Sequence, residues 1–141
     1  MIIKQLSVFL ENKSGRLTEV TRVLTENEIN ISAFSIADTA DYGVLRMIVT
    51  KPDEALKLLK EQGFSVHTTD VICIIVPHKP GGLYKALDLL SKDNISIEYM
   101  YAYAMGDEAF VVIRTDSINE AIDTLQKHKM ELVKASDIYK I

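Results

Sequence analysis

Two glycine-containing loops carry residue types suited to binding chemistry. They read Asn12-Lys13-Ser14-Gly15-Arg16-Leu17 and His78-Lys79-Pro80-Gly81-Gly82-Leu83. Glycine permits backbone conformations that other residues resist, and a helix that begins after such a loop presents unpaired N–H groups and a partial positive charge. That combination suits a carboxylate or a phosphate, to which Asn12, Ser14 or His78 could add side-chain hydrogen bonds. The alternative interpretation is a tight turn before a helix, with no ligand.

The two loops are related by an internal repeat. A shift of 66 positions places Gly15 on Gly81 and Leu17 on Leu83 without any gap. The same shift aligns further identical pairs: Leu24 with Leu90, Ile29 with Ile95, Ile31 with Ile97, Asp41 with Asp107, Glu54 with Glu120, Ala55 with Ala121, and Leu59 with Leu125. Two copies of one structural unit explain this periodicity better than chance does.

Each copy has the hydrophobic pattern of strand, helix, strand, strand, helix and strand. In the first copy we expect strands at 4–10, 29–37, 44–50 and 64–68, helices from 17 and from 52, and a hairpin turn at 38–43. In the second we expect strands at 71–76, 95–105, 109–114 and 132–138, and helices at 83–90 and 118–126. The order βαββαβ is that of the ferredoxin-like unit, so the sequence predicts an α+β fold with domains at 1–69 and 70–141.

Both faces of the predicted sheets are apolar. Along the predicted strand 95–105, Tyr99, Tyr101 and Tyr103 share one face, while Met100, Ala102 and Ala104 share the other. In the first copy, Phe34 and Ile36 lie on the face that corresponds to that of Met100. A sheet that is apolar on both faces needs a cover on its helix-free face, and we expect another sheet, from a second chain. The tyrosines could instead form a stacking platform for bases.

Composition and charge exclude several classes of protein. The net charge is −4, with 20 acidic and 16 basic residues, which argues against nucleic acid as the main partner. We find no apolar run long enough for a membrane span and no secretory signal. The single cysteine, Cys73, fits a cytoplasmic location. His67, His78 and His128 lack metal-ligand spacing, and we expect no cofactor and no catalytic residue.

The chain resembles an ACT domain in both halves. The resemblance lies in a strand followed by Asn-Lys-x-Gly-Arg-Leu at 12–17, then a helix, then Ile-Asn-Ile at 29–31. Because the repeat extends it to the second half, the whole chain resembles a tandem ACT protein without an attached catalytic domain. Ser14 stands where the family often has proline, and Ser96 stands where the first copy has Asn30. The two sites therefore need not bind equally.

The resemblance implies a function and a site. ACT domains are regulatory modules that usually bind amino acids, and two of them commonly pair side by side into an eight-stranded antiparallel sheet with helices on one face. The ligand then lies at the seam, between the loop of one domain and the second strand of the other. Carried over to this chain, the ligand-binding residues are Asn12, Ser14, Gly15, Arg16, Leu17, Asn30, Ile31, His78, Pro80, Gly81, Gly82, Leu83, Ser96 and Ile97.

Four functional hypotheses follow. The first is an amino-acid-binding sensor, which acts as a homodimer through sheet faces or edges and is not an enzyme. The second is a regulatory subunit of an amino-acid biosynthetic enzyme, which copurification would reveal. The third is a small acylphosphatase-like hydrolase with Asn12 and Arg16 at a phosphate loop. The fourth is an RNA-binding module, which a salt-dependent mobility shift would reveal.

Overall fold

The computed structural model of the chain describes residues 1–38 and 41–140. The elements of this part, in chain order, are β1 (Ile3–Glu11), α1 (Arg16–Glu26), β2 (Ile31–Asp38), β3 (Tyr42–Val49), α2 (Pro52–Glu61), β4 (Ser65–Pro77), α3 (Gly82–Lys92), β5 (Tyr99–Met105), β6 (Glu108–Arg114), α4 (Ile118–Lys127), β7 (Glu131–Leu132) and α5 (Ala135–Ile138). The tip of the predicted hairpin turn, at 39–40, lies outside the described residues. Within the described ranges, no helix has the length and apolar character needed to span a membrane.

Contacts group the chain into two compact units. The unit that we call N-terminal holds Lys4–Thr69 together with the segment that begins at Ser136. The unit that we call C-terminal holds Asp70–Ala135 together with Met1–Ile3. Strand β4 contributes its first residues to the N-terminal unit and the rest to the C-terminal unit.

In the N-terminal unit, the strands follow the order β2-β3-β1-β4. Strand β3 pairs antiparallel with both β1 and β2, so that Leu45 lies opposite Val8 on one side and Ile36 on the other. Helices α1 and α2 bury their apolar residues against alternate residues of these strands. The buried core comprises Leu6, Val8, Leu10, Val20, Val23, Leu24, Ile29, Leu45, Met47, Val49, Ala55, Leu59, Phe64 and Val66.

In the C-terminal unit, β4 and β5 both pair antiparallel with β6, and β7 pairs with β4. The register places Val111 opposite Ile74 on one side and opposite Ala102 on the other. Helices α3 and α4 pack on the face that carries Val111. The buried core comprises Ile72, Ile74, Val76, Ala86, Leu90, Ile95, Val111, Ile113, Ala121 and Leu125.

The structure repeats at the same interval as the sequence. Helix α3 begins and ends 66 residues after α1, and α4 begins and ends 66 residues after α2. Unusual backbone conformations repeat as well, since Gly15 and Gly81 have φ of 89° and 92°. Glu28 and Asn94 likewise have positive φ, at 55° and 57°. The prediction of an α+β fold with extensive antiparallel pairing is confirmed.

The predicted number of eight strands is not found, because the described residues contain seven. The strands predicted at 64–68 and 71–76 are one continuous strand, β4. Thr68 and Thr69 at the junction are β-branched and favour extended backbone, and no glycine or proline lies between Ser65 and Val76 to break the strand.

Two further strand predictions are wrong at their ends. The strand predicted at 132–138 is limited to β7, and the chain then forms α5, whose Ile138 is fully buried. Ala135, Ser136 and Asp137 are poor strand formers, which favours the turn of helix. The strand predicted from residue 95 begins only at Tyr99.

The helix-free faces carry residues that are already buried within the single chain. Cys73 and Val112 lie opposite each other in the register and alternate with the core residues of β4 and β6, yet both are 0% exposed. Gln5 and Ser7 of β1 are also buried. Burial of these positions therefore does not require the second chain that the sequence led us to expect.

Candidate ligand-binding site

The two glycine loops have the same hydrogen-bond pattern. The Asn12 N–H donates to the Asp41 carbonyl at 3.1 Å, and the His78 N–H donates to the Asp107 carbonyl at 2.8 Å. Asp41 and Asp107 are an identical pair in the sequence repeat. Each loop is therefore tied to the hairpin that follows the second strand of its own copy.

The loops close in the same way before the helices begin. In the first, the Lys13 N–H donates to the Glu11 carbonyl at 2.7 Å, and in the second the Lys79 N–H donates to the Pro77 carbonyl at 2.9 Å. Gly15 and Gly81 then take left-handed backbone conformations directly before α1 and α3. A positive φ is strained for residues with a side chain, which explains glycine at both positions.

The helix that follows each loop begins with amide groups directed toward the loop. The backbone bond between Lys85 N–H and the Gly81 carbonyl, at 3.1 Å, is the start of the regular pattern of α3. A helix leaves the N–H groups of its first turn without intrahelical acceptors, and these groups carry partial positive charge. They are suited to hold a carboxylate.

One residue differs sharply between the loops. Gly82 packs so closely on the preceding strand end that an added Cβ would lie 2.2 Å from the Pro77 carbonyl oxygen. The equivalent residue of the first loop is Arg16, whose guanidinium lies 4.6 Å from the centre of the Phe64 ring and 2.9 Å from the Glu19 carboxylate. The second loop is thus drawn closer to its strand than a side chain at this position would allow.

A cavity of about 570 Å³ opens beside the second loop. It is lined by Val76, Pro77, His78, Lys79, Pro80, Leu83, Ala102, Tyr103, Ala104, Ala109 and Val111. Val76 and Val111 belong to the core under α3 and α4, so the cavity lies on the helix-bearing face, at the start of α3. Its volume falls within the range of small-molecule sites.

A smaller cavity of about 310 Å³ opens beside the first loop. It is lined by Leu10, Glu11, Asn12, Lys13, Arg16, Leu17, Ile36 and Gly43. Most of these residues are repeat equivalents of residues at the larger cavity: Leu10 of Val76, Asn12 of His78, Lys13 of Lys79, Leu17 of Leu83, Ile36 of Ala102, and Gly43 of Ala109. The structure therefore places the same kind of cavity at the same place in each copy.

The two cavities differ in charge. In the first, Lys13 forms an ion pair with Glu11 at 2.9 Å, and hydrogen bonding and attraction by Lys13 lower the pKa of the Glu11 carboxyl. Glu11 therefore carries negative charge at neutral pH beside the loop. The equivalent residue in the second copy is Pro77, which has no charge.

The predicted site residues are only partly brought together. His78, Pro80 and Leu83 line the larger cavity, while Gly81 and Gly82 line a neighbouring cavity of about 550 Å³ that shares Pro80 with it. In the first copy Asn12, Arg16 and Leu17 line the smaller cavity, and Ser14 and Gly15 lie in the same loop.

The predicted strand-entry residues lie elsewhere in their units. Ser96 and Ile97 line a separate cavity of about 480 Å³. The Asn30 N–H donates to the Thr50 hydroxyl at 3.0 Å, and the Thr50 N–H donates to the Asn30 carbonyl at 3.0 Å. The loop lies near the last residues of β2, because β1, β3 and β2 are antiparallel neighbours, whereas Ile31 is the first residue of β2. Eight residues of strand separate the two places by roughly 20 Å.

The strand residues that line the cavities were not among the site residues predicted from the sequence. Ala102 and Ala109 line the larger cavity, and their equivalents Ile36 and Gly43 line the smaller one. The antiparallel hairpin brings the end of the second strand close to the loop. The identity of Asp41 and Asp107 in the sequence repeat was the one signal that could have indicated this approach, since both residues accept a hydrogen bond from the loop. No other residue spacing in the sequence indicates that Ala102, Ala109, Ile36 and Gly43 line the cavities.

Tyr103 touches the larger cavity, but its ring belongs to the opposite face. It stacks on Phe110 with ring centres 5.1 Å apart. Burial raises the pKa of Tyr103, and its buried hydroxyl has no hydrogen-bond partner among the described residues. On that same face, burial raises the pKa of the Cys73 thiol to about 12. Neither group suits proton transfer at neutral pH.

We looked for side chains that could together bind a metal ion. Residues 1–38 and 41–140 contain no group of three or more His, Cys, Asp or Glu side chains arranged to hold a metal ion. The polar groups that the cavities offer are loop amides and the side chains of residues such as His78 and Lys79. These groups can bind an anion and orient it.

The chain matches the ACT domain pair family over residues 1–141 and belongs to that family. ACT domains are regulatory and bind amino acids. The resemblance seen in the sequence is thereby confirmed for both halves of the chain.

The fold of the chain is similar to that of several solved structures. Protein BT0572 from Bacteroides thetaiotaomicron is 52% identical, with a TM-score of 0.97 over 100% of this chain and 98% of that chain. The ligand-free regulatory subunit of aspartate kinase from Thermus thermophilus is 15% identical, with a TM-score of 0.65 over 88% of this chain and 91% of that chain.

The regulatory subunit of aspartate kinase from Thermus flavus gives a similar result, with 14% identity and a TM-score of 0.63 over 88% of this chain and 90% of that chain. At these identities the two kinase subunits show a shared fold alone. A comparison with curated proteins found no match.

Proposed function

We propose that this protein is an amino-acid-binding regulatory protein whose ligand binds beside the glycine loops. The observation that carries the proposal is the duplicated pairing of a left-handed glycine, a helix start and an adjoining cavity. The first-turn amides of α3 suit the ligand carboxylate, and Lys79 adds positive charge at the same loop. His78 and Asn12 are the side chains that could contact the rest of the ligand's polar end.

The domain organisation belongs to the same proposal. We take residues 1–69 and 70–141 as two ACT domains, each of the ferredoxin-like type. The strand-entry residues Asn30, Ile31, Ser96 and Ile97 lie far from the loop of their own unit, so in this proposal they contact ligand only where the loop of another domain approaches them. The protein acts in the cytoplasm, with no catalytic residue and no cofactor.

We also propose a homodimer, formed through the outer strands of the units. Among the strands of residues 1–38 and 41–140, β2 and β5 lie at the two ends of the strand order, each with one neighbour. Apolar side chains along them are exposed, with Phe34 at 63% and Met105 at 56%. Unpaired edges with exposed apolar residues favour association with another chain. Light scattering at high dilution tests this proposal, and a monomer there would contradict it.

A second candidate function is a regulatory subunit of an amino-acid biosynthetic enzyme. The observation in its favour is the shared fold with the aspartate kinase regulatory subunits of Thermus. In that case the conformational change that the ligand causes would alter the activity of an enzyme bound to this chain. Copurification of the native protein with an enzyme whose activity responds to an amino acid would favour this candidate over the free-standing sensor.

Thermal unfolding in the presence of each common amino acid at millimolar concentration tests the proposed function. A ligand at about 100 times its Kd adds roughly 2.7 kcal/mol to the free energy of unfolding, which raises the Tm by several degrees for a chain of this size. We expect one or two amino acids to raise the Tm and the others to leave it unchanged. If no amino acid changes the Tm, the proposed function is wrong.

A further inference from the structure

We propose that the cavity beside the second loop is the one that binds the amino acid, and that it selects a ligand with an uncharged, apolar side chain. This inference rests on the proposed function and adds the ligand class and the occupied copy. It predicts one ligand per chain, although the loop is present twice.

The lining of the larger cavity divides into a polar end and an apolar end. The charged or polar loop side chains are His78 and Lys79, which lie four and three residues before the start of α3 at Gly82. Most of the remaining wall is apolar and is formed by Val76, Pro77, Pro80, Leu83, Ala102, Ala104, Ala109 and Val111; Tyr103 touches the cavity as well, with its ring on the opposite face of the sheet. Because burying a charge or an unpaired polar group against such walls is costly, the part of the ligand that faces the strands has to be apolar.

The strands leave more room for that side chain in the second copy than in the first. Ala102 stands on β5 where Ile36 stands on β2, and both positions line their cavities. The larger isoleucine accords with the smaller volume of the first cavity, about 310 Å³ against about 570 Å³. Ala109 is one methyl group larger than its equivalent, Gly43, which offsets only part of this difference.

The charges favour the second copy as well. Glu11 places a carboxylate at the first loop and occupies Lys13 in an ion pair at 2.9 Å. A ligand carboxylate there would meet like charge. Pro77 stands at the position of Glu11 in the second copy, so no carboxylate occupies that position beside Lys79, which lines the larger cavity.

The experiment is isothermal titration with leucine, valine and phenylalanine as apolar probes, and with lysine and glutamate as charged probes. The variants are Ala102→Ile, which introduces in the second copy the residue present in the first, and Ile36→Ala as its matched control in the first copy. Ala102 is exposed and Ile36 is 49% exposed, so neither change overpacks the core. Unfolding of the unliganded variants checks their stability.

We expect an apolar probe to bind the unmodified protein at one site per chain. We expect Ala102→Ile to weaken that binding about 10-fold or more, because the larger side chain would occupy space that the ligand needs, and such overlap costs as much as overpacking a core. We expect Ile36→Ala to change the affinity less than about 2-fold. A further variant, Ala102→Asp, should also weaken binding, by adding a negative charge with less bulk.

Four results would overturn the inference while leaving the proposed function intact. They are a charged amino acid that binds where no apolar one does, two equivalent sites per chain, loss of binding in Ile36→Ala with retention in Ala102→Ile, and unchanged binding in both Ala102 variants. If no probe and no other amino acid binds the unmodified protein, the proposed function itself fails, together with this inference.

Discussion

At the scale of single residues, Gly82 shows how the second loop differs from the first. Its backbone lies so near the end of β4 that an added Cβ would be 2.2 Å from the Pro77 carbonyl oxygen. Arg16, at the equivalent position, accommodates a long side chain over Phe64. A single glycine therefore lets the loop, the helix start and the strand end meet at one side of the larger cavity.

Replacement of Gly82 by alanine tests this close approach. A glycine in a helix usually gains stability on change to alanine, but Gly82 is buried against Pro77, and here we expect the free energy of unfolding to fall by about 1–3 kcal/mol, the range for overpacking. Denaturant unfolding measures the change. Arg16→Ala is the control and should lose less, about 0.5–1 kcal/mol for a cation–π contact. Unchanged or increased stability in Gly82→Ala would contradict the close packing.

Cys73 gives a second prediction at this scale. It is 0% exposed, and burial raises the pKa of its thiol to about 12. Because the thiolate is the reactive form, we expect no reaction of the native protein with a thiol reagent at pH 8, and one thiol per chain to react after unfolding in guanidinium. Rapid reaction of the native protein would show that β4 is open to solvent at this position.

At the scale of elements, the helices and the repeat could be predicted from the sequence, because hydrophobic periodicity determines both. The predicted 66-residue interval relates α1 to α3 and α2 to α4 in the structure. The loop side of the candidate site was also predicted, since glycine and helix starts leave local signals. The strand side was not, because the approach of Ala102 to His78 depends on sheet register, and no local pattern encodes it.

The end of the chain shows the same limit. Residues 132–138 have an apolar pattern that predicts a strand, yet Ile138 belongs to α5 and is buried among contacts of the N-terminal unit. The Ser32 hydroxyl donates to the Ile138 carbonyl at 3.1 Å, and the Lys4 N–H donates to the Tyr139 hydroxyl at 2.8 Å. These long-range contacts decide the conformation, and a window of seven residues does not contain them.

Replacement of Ile138 by alanine tests the role of this segment. A buried isoleucine replaced by alanine costs about 2–5 kcal/mol, and we expect the loss to appear in the N-terminal unit. Hydrogen exchange should therefore accelerate in residues 4–69 more than in residues 70–135. Asp137→Ala, at an exposed neighbouring position, is the control and should change neither. If hydrogen exchange accelerated in residues 70–135 as much as in residues 4–69, the segment around Ile138 would not belong to the N-terminal unit.

At the scale of the whole molecule, the protein is an ACT domain pair in which each glycine loop adjoins a cavity, of about 310 Å³ in the first copy and about 570 Å³ in the second. A ligand can regulate only through a difference in its affinity for two conformations. The hairpins offer a route for such coupling, since the Asp41 and Asp107 carbonyls each accept a hydrogen bond from a glycine loop. A ligand that rearranges a loop would therefore also act on the hairpin tied to it.

Amide chemical-shift mapping during titration with leucine, valine or phenylalanine, whichever binds, shows whether the amino acid binds at the second loop. We expect the largest changes in residues 78–85, with further changes at Ala102, Ala104 and Ala109, and smaller ones in residues 12–17. Changes that are largest at 12–17, or that lie outside both loops, would contradict the claim that the second loop holds the ligand.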